Sequence, residues 1–74
     1  MDFSKSRFRV VGVDGSTIGM IDHDEYVRNG AQLIYRIDGD EVYTAGVNAK
    51  LVGSLDRNVA TSYAGKILFT IQAE

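Results

Sequence analysis

The chain has 74 residues, 45% apolar and 24% charged, the composition of one small globular domain rather than a disordered segment. Ten acidic residues against eight basic ones give a formal charge of −2, which excludes the basic footprint of a nucleic-acid binder. Cysteine is absent and no apolar run is long enough to span a bilayer or serve as a leader, so we expect a cytoplasmic protein without disulfides, thiolate metal sites or a membrane span.

Taken in chain order, Ser4-Lys5-Ser6-Arg7-Phe8-Arg9 is a basic arm with one aromatic. It reads as a solvated lead-in to the first strand. From Arg9 onward the chain repeats. Ile18-Gly19-Met20-Ile21-Asp22 matches Ile34-Tyr35-Arg36-Ile37-Asp38, Val52-Gly53-Ser54-Leu55-Asp56 and Leu68-Phe69-Thr70-Ile71-Gln72. The starts at 18, 34, 52 and 68 are nearly evenly spaced, as duplicated supersecondary units require.

A glycine precedes each segment: Gly15, Gly30, Gly46 and Gly65. Asp14-Gly15 and Asn29-Gly30 are hairpin signals, because these residues tolerate the positive φ of a type I′ turn. The stretch Ala45-Gly46-Val47-Asn48 belongs to a unit two residues longer and predicts a bulge or a longer connection. Asp22-His23-Asp24, Asp38-Gly39-Asp40 and Asp56-Arg57-Asn58 follow the segments and predict turns between units. The intervening stretches are rich in Val, Ile, Tyr, Thr and Phe, the residues that strands favour. The prediction is all-β: four hairpin repeats over 9–22, 25–38, 41–56 and 59–72, about eight short antiparallel strands in one domain.

Residues two apart on a strand share a face, so Gly19, Tyr35, Gly53 and Phe69 belong to one face of the repeat. Bare and bulky positions alternate around the units. Four rings would not fit one axis and four glycines would leave a void, so the alternation predicts a small sheet closed about a pseudo-four-fold axis. The other face is also apolar at Ile18, Ile34, Val52 and Leu68. That predicts a second buried surface, against further strands or in a homo-oligomer, with a dimer favoured.

These elements resemble the four-fold β-flower domain, through Asp14-Gly15 with 18–22, Asn29-Gly30 with 34–38, Gly46 with 52–56 and Gly65 with 68–72. The resemblance covers the chain from Arg9 to Gln72 and implies four hairpins about a pseudo-four-fold axis. The family is mainly bacterial, and no catalytic or ligand-binding residue carries over from it. The stretch from Val11 to Gly19 also looks like the opening hairpin of a PRC-type barrel, over the first unit alone.

His23 lies between two aspartates, but no hydroxyl stands at a spacing that indicates a catalytic partner, and we read it as a turn residue. Asp22/Asp24 and Asp38/Asp40 lack the terminal bidentate Glu of a calcium loop. No catalytic residue, metal ligand or cofactor is assigned. Tyr26, Tyr43 and Tyr63 fall on the first strands of their units, near the hairpin turns. Amphipathic rings on a sheet make contact anchors, so these are the candidate binding residues. The expected function is a non-enzymatic binding or interaction module, a small bacterial or phage accessory or inhibitor protein with a protein partner. The alternative is a small-molecule or nucleotide binder with a site at the axis or subunit interface.

Overall fold

The computed structural model describes residues 3–74. Among them are eight strands and no helix: β1 (Arg7–Val11), β2 (Thr17–Asp22), β3 (Tyr26–Asn29), β4 (Gln32–Asp38), β5 (Glu41–Thr44), β6 (Leu51–Asp56), β7 (Val59–Ser62) and β8 (Ile67–Ala73). Every strand pairs antiparallel with its sequence neighbours, and β1 pairs with β8, so the sheet closes into a barrel. Closure leaves no free strand edge. The four hairpins run from Arg7 to Asp22, Tyr26 to Asp38, Glu41 to Asp56 and Val59 to Ala73. Arg7 and Phe8 belong to β1, and Phe3 turns back to stack edge-on against Phe8, with ring centroids 5.5 Å apart. The arm read as a solvated lead-in therefore packs Phe8, half-buried, against the core beside the buried Phe3 that precedes it.

The interior is built in layers. Across the four hairpins Val10 pairs with Gly19, Val27 with Tyr35, Val42 with Gly53 and Ala60 with Phe69. Next toward the turns that link hairpins come Ile21, Ile37, Leu55 and Ile71, all buried. Phe3 and Phe8 pack beyond them. Tyr35 and Phe69 come from facing walls and meet inside, with ring centroids 5.0 Å apart and planes tilted by 42°. The two glycines of the same layer do more than leave room. A Cβ at Gly53 would lie 2.2 Å from the carbonyl oxygen of Thr61, and one at Gly19 would lie 2.8 Å from that of Arg28. The barrel is pinched at the β2/β3 and β6/β7 seams and spread over an aromatic ring beside β4 and β8. The duplication therefore has a two-fold character within its four-fold plan.

Each hairpin carries a register shift at the same place, and the skipped residues are Ile18, Ile34, Val52 and Leu68. A bulge leaves one residue unpaired and re-aims its side chain. All four are half-buried and pack against the core. This corrects the expectation of a second buried sheet face: strict alternation would turn these residues outward, and the bulge turns them toward the core instead.

Turn chemistry differs in detail from the sequence reading. The first and fourth hairpins end in matching turns, in which Gly15 N–H donates to Gly12 O at 3.0 Å and Gly65 N–H to Ser62 O at 2.9 Å. Gly15 and Gly65 follow in the left-handed region at φ 87° and 86°, as a three-residue hairpin loop requires. In the second hairpin Asn29 pairs with Gln32, so the loop is Gly30-Ala31 and Asn29 belongs to the strand. Gly30 alone of the two has positive φ, which is not the predicted type I′ pattern. The third hairpin has the longer connection expected from its length, closed by Thr44 N–H to Lys50 O at 2.9 Å.

Between hairpins the residue after each aspartate is left-handed: His23 at φ 61°, Gly39 at 62° and Arg57 at 59°. Only glycine adopts this region without steric cost. Arg57→Gly should therefore raise stability by up to about 1 kcal/mol, offset in part by a more flexible unfolded chain; a lower melting temperature would contradict this. For the core, Phe69→Ala should cost about 3–5 kcal/mol and Gly53→Ala at least about 2 kcal/mol in urea unfolding. A Gly53→Ala protein as stable as the parent would show that β6 and β7 do not approach as described.

Candidate functional site

The outer wall is organised by register. Tyr26 pairs with Arg36, Arg36 with Tyr43, and Tyr43 with Leu51. These four side chains form one row across β3, β4, β5 and β6, each on the face opposite a buried neighbour such as Val27, Ile37 or Val42. Beside it runs a second row: Arg9 pairs with Met20, Met20 with Arg28, and Arg28 with Leu33. The remaining rows read Glu41, Ser54, Thr61, Ile67 and Val59, Thr70, Val11, Thr17, with Val11 buried. Large arginine, tyrosine and methionine side chains are thus gathered on one wall.

The structure brings two of the three predicted tyrosines together. Tyr26 and Tyr43 flank Arg36 in one row, whereas Tyr63 lies in the turn of the fourth hairpin and is 65% exposed. Two placements differ from the sequence reading. Tyr26 opens β3 at the end where hairpins are linked, not beside a hairpin turn, and Tyr63 is in a turn rather than on a strand. Arg28, Arg36, Met20 and Leu51 were not among the sequence candidates. The signal for Arg36 was the polar turn at 38–41: once Asp38 faces Glu41, Arg36 must face Tyr43.

Carboxylates hold the arginines in place. Arg36 Nε donates to Glu25 Oε1 at 3.1 Å, and Asp38 lies 4.0 Å from its guanidinium. The Glu25 hydrogen bond and charge hold Arg36 above its ordinary pKa. Arg28 pairs with Asp24 through Nη1 and Oδ2 at 2.5 Å, and its guanidinium lies 5.5 Å from the centre of the Tyr26 ring, a cation–π distance. Tyr43 donates its hydroxyl to Glu41 at 3.3 Å. Partial removal from solvent, and then the Glu41 charge, push the Tyr43 phenol upward. Exposed pairs of this kind add little stability, but they fix the long side chains in one geometry.

Tyr26 separates two open clefts. One, of about 480 Å³, lies beside Phe3, Asp24, Glu25 and Ile37. The other, of about 360 Å³, runs past Arg36 and Leu33 to the loop at Ala45, Gly46 and Val47. His23 lines neither cleft. Its Nδ1 lies 2.6 Å from Asp22 Oδ1. Asp24 accepts the Tyr26 N–H at 3.0 Å, and no three His, Asp or Glu side chains gather as a cation site among the described residues.

No family model matches this chain, and neither a curated protein nor a solved structure matches it.

Two carboxyls carry a pH dependence. Hydrogen bonds from the Ser16 hydroxyl and N–H hold Asp14 below its ordinary value of 3.8, and the His23 hydrogen bond does the same for Asp22. A depressed native value contributes stability above the unfolded value that is lost as pH falls through the native one. Melting temperature should therefore fall as pH is lowered through and below the ordinary value of 3.8, and the fall should be shallower in Asp14→Ala. Equal slopes for the two proteins would contradict the Asp14–Ser16 interaction.

Proposed function

We propose that this chain is a non-enzymatic interaction module of the four-fold β-flower type, and that the outer surface of β1–β6 recognises a partner protein. The observation that carries the reading is the row Tyr26–Arg36–Tyr43–Leu51 beside Arg9–Met20–Arg28–Leu33. Tyrosine, arginine and methionine are the residues enriched where proteins meet, and tyrosine and arginine supply most binding hot spots. Placed on paired strands and fixed by Asp24, Glu25 and Glu41, they lose little conformational entropy on binding. The carboxylates around them form a polar rim that favours a partner with its own basic groups at the edge and apolar groups at the centre. The small-molecule alternative finds less support at the axis, because Tyr35 and Phe69 occupy it.

The test is capture of a binding partner by the tagged protein from lysate of its source cells. Tyr43→Ala and Arg36→Ala should each lower recovery at least about tenfold, as hot-spot truncation does, while melting temperatures stay near that of the parent. Thr61→Ala on β7, outside both rows, should leave recovery unchanged. Full recovery by the Tyr43 and Arg36 variants would overturn the reading.

A further inference from the structure

The two ends of the barrel differ in chemistry. The end where hairpins are linked carries every carboxylate of the described residues except Asp14, among them Asp22, Asp24, Asp38, Asp40 and Asp56. The end formed by the hairpin tips carries the exposed large apolar residues. Val13 is 76% exposed and Val47 fully exposed in their loops, and Tyr63 is 65% exposed. Leu33, Leu51 and Ile67, each at or next to the start of a second strand, are 40%, 40% and 53% exposed. Charge at this end is confined to Asp14, Lys50, Lys66 and Arg28, which pairs with Leu33 and is held by Asp24. Exposed apolar residues scattered singly need no explanation, but their collection at one end does.

We infer that the hairpin-tip end is a self-association face, on which a second copy of this chain docks tip to tip. The fit of a second copy follows from charge and from area. Two copies joined by their tips hold their acidic ends on opposite outer sides, well beyond the roughly 8 Å over which charges act at physiological salt. Docking two copies through their other ends would place carboxylates against carboxylates. Asp14 and the lysines Lys50 and Lys66 are of opposite sign, so a two-fold arrangement can set one copy's lysines beside its partner's aspartate. The barrel has principal extents of 29, 27 and 21 Å, so one end presents roughly 450–600 Å², and a pair would bury about 900–1,200 Å², where specific interfaces begin. That area gives a reversible dimer rather than an obligate one. It leaves Tyr26, Arg36 and Tyr43 open on both copies, while Leu33 and Leu51, which end the two rows, lie at the border of the tip face.

Sedimentation equilibrium of the full chain, between about 1 μM and 1 mM where an interface of this size acts, tests the inference. The parent should pass from monomer to dimer and no further. Val13→Asp combined with Val47→Asp places charges on both exposed loops and should raise the dissociation constant at least about tenfold. Arg36→Ala should dimerise like the parent, which separates this result from failure of the wall as a partner site. Should the aspartate variant melt differently from the parent, Val13→Ser with Val47→Ser supplies the same test with uncharged side chains. A parent monomeric throughout, or a dimer indifferent to both loop variants, would overturn the inference. So would a monomer that co-sediments with phosphatidylcholine–phosphatidylserine vesicles and loses them on Val47→Asp, since the tips would then face a membrane.

Discussion

The contact between Tyr35 and Phe69 across the barrel, 5.0 Å between centroids, sets the dimensions of everything around it. An eight-stranded barrel is just wide enough to be filled by side chains. Here two rings from facing strands fill the middle, and the two intervening strands carry glycine. At Gly19 and Gly53 the neighbouring strand comes in so far that a Cβ has no place. Rings and glycines are two halves of one solution: where the wall supplies bulk it stands off, and where it supplies none it closes in. A chain without cysteine cannot add a disulfide to a core this small, so stability depends on that fit, on the Ile21, Ile37, Leu55 and Ile71 layer beneath it, and on the Phe3–Phe8 pair at the end.

The same constraint shapes the surface. Four bulges bring Ile18, Ile34, Val52 and Leu68 toward the interior, and each displaces the register so that the outward row of one hairpin continues into the next. Tyr26, Arg36 and Tyr43 therefore become neighbours although they come from three strands. Without the shear of a closed barrel they would lie on separate rungs. The fold thus produces a rigid wall of large polar–aromatic side chains, an acidic end and an apolar end from one repeated unit. Divergence among the four copies, rather than any inserted loop, makes the sides different.

Much of this was legible in the residues. Turn-forming Asp, Asn and Gly at regular intervals, and strand residues between them, mark four hairpins. The order Gly19, Tyr35, Gly53, Phe69 marks the axis, because period-two alternation is a local property of each strand. What was not legible depends on pairing between segments. A bulge is a mismatch in residue count between two strands, so Ile18 and its equivalents read as an outward apolar face. The grouping of Tyr26 with Tyr43, and the separation of Tyr63 from both, depends on barrel shear. Asn29-Gly30 carries the composition of one turn type and adopts another, because the strands extend through Asn29. Phe3 and Phe8 sit in a polar, basic stretch, and only the open end of the barrel gives them a reason to fold inward.

The most direct test of the account is a double-mutant cycle in urea unfolding on Tyr35→Leu and Phe69→Leu, which keep apolar bulk and remove the ring pair. Rings from facing strands in contact at the axis should show a coupling energy of about 0.5–1.5 kcal/mol. Strict additivity would mean that the two rings do not meet, and the closed barrel described here would lose its centre.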